Sequence, residues 1–150
     1  MIDGVIVNPL NCIHDEQGIQ SYVMLNSRET VYKGFGELYF SLVYPNIIKG
    51  WHLHQKMILN YTVLVGKINL VLFDPREESQ TKGEVMELLL EDSKHSLVQV
   101  PSLIWTGFKG LGYPYSIVAN CSTIPHFENE ISRLDPFSTK IPYDWNRKDE

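Results

Sequence analysis

The feature that most constrains this chain is a succession of short apolar segments of strand length, each bounded by turn signals, with no sustained three-to-four-residue helical period. "GVIV", "SYVML", "GELYFSLVY", "GWHLH", "NYTVLV", "KINLVLF", "VMELLL", "SLVQV", "IWTGF" and "SIVANC" are rich in β-branched and aromatic residues, which suit a pleated, half-buried surface. So many short strands in 150 residues predict an all-β sandwich or barrel. "VGK" between "NYTVLV" and "INLVLF" reads as a tight hairpin, "DPREESQTKGE" as a polar loop, and "GLGYPY" as punctuation before "SIVANC". No repeat, low-complexity tract or linker divides the chain, so residues 1–150 are expected to form a single domain, and a hydrophobic content of 43% suffices for its core. After "IPHFENEIS", the tail "RLDPFSTKIPYDWNRKDE" is expected to pack as irregular structure with a frayed polar end.

A formal charge of −5 offers no clustered Lys and Arg for phosphate backbones, so nucleic acid is excluded as a partner. No apolar run reaches the roughly 18 residues that a spanning helix needs, and no basic-then-apolar leader opens the chain, so the expectation is a cytoplasmic protein without a membrane partner. Cys12 and Cys121 lack metal-ligand spacing and read as two reduced thiols.

The stretch "KGWHLHQKMILNYTVLVG" carries the chemistry. On a strand, His52 and His54 project to one face while Trp51 and Leu53 project to the other, and a small barrel offers the first face a concave interior that holds one ligand. The spacing resembles the metal-binding segment of cupins, but Leu59 stands at the acidic ligand and Thr106 of "PSLIWTGF" at the third histidine. Two neutral imidazoles are a weak ligand set, so no metal is expected. His14, His95 and His126 lie in polar, loop-like contexts and read as solvated.

Taken together, "GWH", "DPREESQTKGE", "VPSLIWTGF" and "RLDPFSTKIPYDW" resemble the dTDP-4-dehydrorhamnose 3,5-epimerase family over nearly the whole chain. The most specific part is D-x-R-x-x-S-x-T-x-G, met by Asp74, Arg76, Ser79, Thr81 and Gly83. The resemblance implies an antiparallel jelly-roll cupin, homodimeric and free of cofactors. It also implies action on a nucleotide-linked 4-keto-6-deoxyhexose in surface-polysaccharide biosynthesis of the O-antigen type. A C–H beside a ketone is acidified by delocalisation into an enolate, so such chemistry needs a base of pKa near 7, and unperturbed imidazole lies near 6.5. The resemblance places that base at His52 and its orienting carboxylate at Asp135, which are expected within hydrogen-bond reach of each other. It places a cation for the substrate at Lys49, where the family has arginine.

Elsewhere the chain departs from the family pattern. Leu59 replaces a lysine, Thr106 a histidine, Val118 a tyrosine acid, Gln17 an arginine and Tyr22 a glutamate. Tyr115 lies at odd spacing from Val118 and stands as a weaker candidate for the acid. His54, Lys56, Asn60 and Thr106 are expected to line or rim the cavity as a mixed polar set fit for a sugar. Trp51, Trp105 and Trp145 read as core or dimer contacts. Two function classes follow: a sugar-nucleotide epimerase or isomerase, and a non-catalytic cupin of the same family that binds a sugar or a partner protein.

Overall fold

The computed structural model describes residues 1–24 and 31–146. In chain order the strands are β1 (Ile6–Pro9), β2 (Asn11–Asp15), β3 (Gly18–Tyr22), β4 (Glu37–Val43), β5 (Ile48–His54), β6 (Leu59–Val65), β7 (Lys67–Phe73), β8 (Val85–Glu91), β9 (Ser96–Val100), β10 (Trp105–Gly110), β11 (Ser116–Ser122) and β12 (Ile131–Arg133). A 3-10 turn at Glu128–Glu130 precedes β12. One five-stranded sheet has the order β1-β9-β6-β11-β4, the facing one β12-β5-β10-β7-β8, and β2-β3 forms a separate hairpin. Every pairing is antiparallel, which gives the expected all-β jelly roll. Among the described residues, no helix is long and apolar enough to cross a membrane.

Alternation along the strands decides what fills the interior. Ile68, Leu70 and Leu72 of β7 point between the sheets and meet Leu59, Tyr61 and Val63 of β6, Val98 and Val100 of β9, Phe108 of β10 and Val118 of β11. The opposite face of the second sheet is covered by the C-terminal segment. Ile141 and Trp145 pack on Trp51 and Val71, and Trp105 lies against them, so the tryptophans serve as packing groups here. Trp51 donates its indole N–H to the Pro136 carbonyl at 3.1 Å, which anchors the irregular tail. The polar end at 147–150 and the last residue of "SYVML" lie outside the described residues.

Two sequence expectations change. β6 and β7 are not a hairpin: β6 pairs with β9 and β11, β7 with β8 and β10, so Gly66 carries the chain from one sheet to the other. Its φ of +84° and the Ser116 Oγ, which would stand 2.4 Å from a Cβ there, require glycine at this corner. The β2–β3 hairpin and β12 are not among the apolar segments, because the hairpin is largely exposed and polar and β12 has only three residues.

The family-specific loop Asp74–Gly83 is a scaffold between β7 and β8. The Asp74 carboxylate is fully buried and accepts from Arg76 N, Nε and Nη2, from Ser79 Oγ and from Thr81 Oγ1. Burial pushes this carboxyl up, but the hydrogen bonds from Arg76, Ser79 and Thr81 outweigh it and hold the group well below the usual carboxylate range. Arg76 Nη2 also donates to the Asp3 carbonyl at 2.7 Å and Asp3 N–H donates to Thr81 Oγ1 at 3.0 Å, so the loop ties down the segment leading into β1.

Candidate functional site

The site lies between the sheets, where β5 and β10 face β4, β6 and β11. A cleft of about 440 Å³ is lined by Tyr39, Ser41, Lys49, His52, Tyr61 and Thr106, with Gly107, Phe108, Val118 and Asn120 closing its floor. A second, of about 760 Å³, shares Tyr39, His52 and Tyr61 with it and adds Glu37, His54, Met57, His126 and Ile131. His52 therefore stands where the two spaces share a wall.

Strand alternation puts His52 and His54 on the inward face of β5, as the sequence predicts. Lys49 joins them despite its odd spacing, because the register slips: His52 pairs with Thr106 and Lys49 with Phe108, so β5 holds an extra residue opposite β10. This bulge falls at Gly50, where a Cβ would meet the Gly107 Cα at 2.8 Å. Close backbone approach there turns the lysine into the cleft.

The His52 imidazole is half-buried, and burial depresses its pKa, reinforced by its electrostatic interactions with Arg133, His54, His126 and Lys49. Its neutral, proton-accepting form is thus favoured at pH 7. Across the cleft, on the facing sheet, stand the phenols of Tyr39 and Tyr61. Tyr61 is buried against Phe108, and burial together with Tyr39 pushes its phenol up, so it remains protonated. Tyr39 is held by a directional chain: Asn60 N–H donates to Asn120 Oδ1 at 2.9 Å, which leaves Asn120 Nδ2 to donate to the Tyr39 oxygen at 3.0 Å. The Tyr39 proton is then free to point elsewhere.

His54 is buried, and its Nδ1 lies 2.5 Å from Glu130 Oε1. Glu130 itself is 2% exposed, and its Oε2 accepts the backbone N–H groups of Lys56 (2.7 Å) and Met57 (3.0 Å). Burial pushes the Glu130 carboxyl up, while these two amides and His54 more than offset it, so the group is held below its usual range as a carboxylate.

Several expectations for individual residues are revised. Asp135 sits exposed in the turn after β12, where its Oδ1 accepts Phe137 N–H at 2.8 Å, and no hydrogen bond joins it to His52 among the described residues. Lys56 is exposed on the turn after β5 and does not line the cleft. Asn60 is consumed by structure: its amide donates to the Cys121 carbonyl and accepts from Gln99, whose Nε2 also reaches the Val31 carbonyl. Tyr115 lies in the turn before β11, away from the lining residues. Thr106 does line the cleft, with its hydroxyl donating to the Ile104 carbonyl at 3.3 Å. His126 is exposed, as expected, and stands at the cleft mouth with Nε2 3.3 Å from Glu128 Oε1. Among the described residues, no group of three or more His, Cys, Asp or Glu is placed to hold a metal ion.

Sequence reasoning passed over Tyr39, Ser41, Tyr61, Asn120 and Glu130. The alternation in "ELYFSLV" was the available signal, with Glu37, Tyr39 and Ser41 on one face and Leu38, Phe40 and Leu42 on the other. Apolarity alone points the wrong set inward, since Leu38 and Phe40 are 63% and 69% exposed.

A model of the dTDP-4-dehydrorhamnose 3,5-epimerase family matches residues 1–150. The chain is 31% identical over 107 residues to a probable low-salt glycan biosynthesis epimerase, Agl13, of Haloferax volcanii, covering 71% of this chain and 65% of that protein. It is 28% identical over 144 residues to the spore coat polysaccharide biosynthesis protein SpsL of Bacillus subtilis, covering 96% and 91% respectively. The crystal structure of a dTDP sugar isomerase from Desulfovibrio desulfuricans superposes with a TM-score of 0.93 at 33% identity, over 99% of this chain and 94% of that one.

Proposed function

The chain belongs to the dTDP-4-dehydrorhamnose 3,5-epimerase family, and from its cleft we propose that it epimerises a nucleotide-linked 4-keto-6-deoxyhexose beside the ketone, in the biosynthesis of a surface polysaccharide. One observation carries this reading: an imidazole held toward its neutral form on one sheet faces the phenols of Tyr39 and Tyr61 on the other across one cleft. Epimerisation needs that two-sided arrangement, because the proton must leave one face of a carbon and return to the opposite face.

In the proposed step, a ring nitrogen of His52 takes the proton from the carbon next to the ketone. The C–H electron pair forms the enolate double bond and the carbonyl pair moves onto oxygen. Tyr39 then donates its phenolic proton to the other face of the carbon while the oxyanion pair re-forms the ketone. Asn120, by donating to the Tyr39 oxygen, eases the resulting phenolate. Lys49 supplies a positive charge on the same wall as His52, suited to an anionic nucleotide sugar or to the enolate oxygen.

The proposal includes a homodimer. β4 is the edge of its sheet, and Leu38, Phe40 and Leu42 are exposed on its outward face, an apolar edge that a second copy would cover. A cytoplasmic location suits the free thiols of Cys12 and Cys121. The test is incubation with a dTDP-4-keto-6-deoxyhexose in deuterated water. Label beside the ketone is expected, and His52→Asn should remove it from the carbon that His52 serves. No label with any 4-ketosugar nucleotide at saturating protein would replace this reading with that of a non-catalytic sugar-binding protein.

A further inference from the structure

We infer that His54, oriented by Glu130, is a second proton-transfer group of the cleft, serving a different carbon of the bound sugar from the one that His52 serves. The inference rests on the epimerase reading above. A 4-ketosugar has an acidified C–H on each side of its ketone, and the cleft presents two imidazoles from the same face of one strand. Two residues of strand separate them by about 7 Å along β5, a span over which two rings can converge on neighbouring parts of one hexose. Both line the larger cleft.

The geometry around His54 is that of an oriented base. With its Nδ1 2.5 Å from a buried carboxylate that can only accept, the ring carries its proton on Nδ1 and leaves Nε2 as the open nitrogen. Nε2 has no hydrogen-bond partner among the described residues, and it is not sealed off as an orphaned buried atom. Glu130 cannot swing away, because two backbone N–H groups hold its other oxygen. Among the described residues His52 has no such carboxylate, so the imidazole oriented in this way is the one that family resemblance does not single out. Glu130 is a positioning residue: it fixes a tautomer and does not reach the cleft lining.

The step balances as the first one does. His54 Nε2 takes the proton from the second carbon beside the ketone, the C–H pair enters the enolate, and the proton returns from His54 or from the opposite face.

Position-resolved deuterium incorporation, followed by proton NMR on the full-length protein with a dTDP-4-keto-6-deoxyhexose, tests this. The unaltered protein should label both carbons flanking the ketone. His54→Gln should lower labelling at one carbon by about 10²-fold while the other stays within about threefold. Glu130→Gln serves where His54→Gln does not fold. Its amide oxygen can still accept from Lys56 and Met57, but its NH₂ faces His54 Nδ1 and moves the ring proton to Nε2, so the same carbon should lose label. Retained labelling at the His52-dependent carbon shows that the cleft is intact in each variant. Equal loss at both carbons, or no loss at either, overturns the role of His54 and leaves the epimerase reading standing. No label at any carbon in the unaltered protein overturns both.

Discussion

Replacing Asp74 by Asn should destabilise the protein strongly and leave proton exchange in folded molecules almost untouched. The carboxylate is wholly buried and accepts five hydrogen bonds, from Arg76 N (3.0 Å), Nε (2.9 Å) and Nη2 (2.9 Å), Ser79 Oγ (2.6 Å) and Thr81 Oγ1 (2.6 Å). Counting each at the value of a charged hydrogen bond would give this one group a contribution as large as the stability of a whole domain. The appropriate figure is the loss on breaking one partner of a buried ion pair, about 3–5 kcal/mol. It stays at that level because the Arg76 side chain is 23% exposed and can rehydrate, and because the two hydroxyls can rotate. For a domain of this size each kcal/mol moves Tm by about 2–4 °C, so the expected fall is about 6–20 °C. Circular dichroism melts of both proteins measure it. The pH dependence supplies a sign check. A carboxyl whose folded pKa is depressed contributes stability above its unfolded pKa of about 3.9 and loses it as pH falls through the folded value, so the gap between the proteins should narrow below about pH 4. A fall under about 2 °C, or abolished exchange in a variant that melts normally, would refute the assignment of this loop as scaffold.

Three further outcomes are expected. The acid limb of kcat/KM should lie below pH 6.5, because His52 is depressed from that value; the unfolded chain then binds more protons, so stability should fall as pH drops from 6.5 toward the folded pKa, and His52→Gln should flatten that slope in urea melts taken across pH. Tyr39→Phe should keep deuterium exchange at the His52-dependent carbon while slowing inversion by about 10²-fold, read by separating the epimers; equal loss of both would mean that Tyr39 does not act from the opposite face. Phe40→Asp on the exposed face of β4 should turn a dimer into a monomer by light scattering without lowering the strand content, and an unchanged mass would place the interface elsewhere.

The all-β class, the positions of most strands and the inward projection of His52 and His54 were legible in the sequence, because strand periodicity is local and needs no knowledge of neighbours. The family was legible too, through Asp74, Arg76, Ser79 and Thr81, yet those residues build a loop rather than the cleft. What the tertiary structure decided is everything that depends on which strands face each other. Gly66 reads locally as a hairpin, and only the sheet order makes it a crossing between sheets. Lys49 reaches the cleft through a bulge whose cause, the approach of Gly107, comes from a strand more than fifty residues away in the chain. Tyr39 and Glu130 were hidden for opposite reasons. Tyr39 lies on a strand where Leu38, Phe40 and Leu42 point outward, against the ordinary burial rule, and Glu130 is a charged residue in a short polar stretch that backbone amides and an imidazole from β5 make tolerable in the interior. Burial, hydrogen-bond partners and the direction of a pKa shift are sums over surrounding atoms, and those atoms are brought together by the fold.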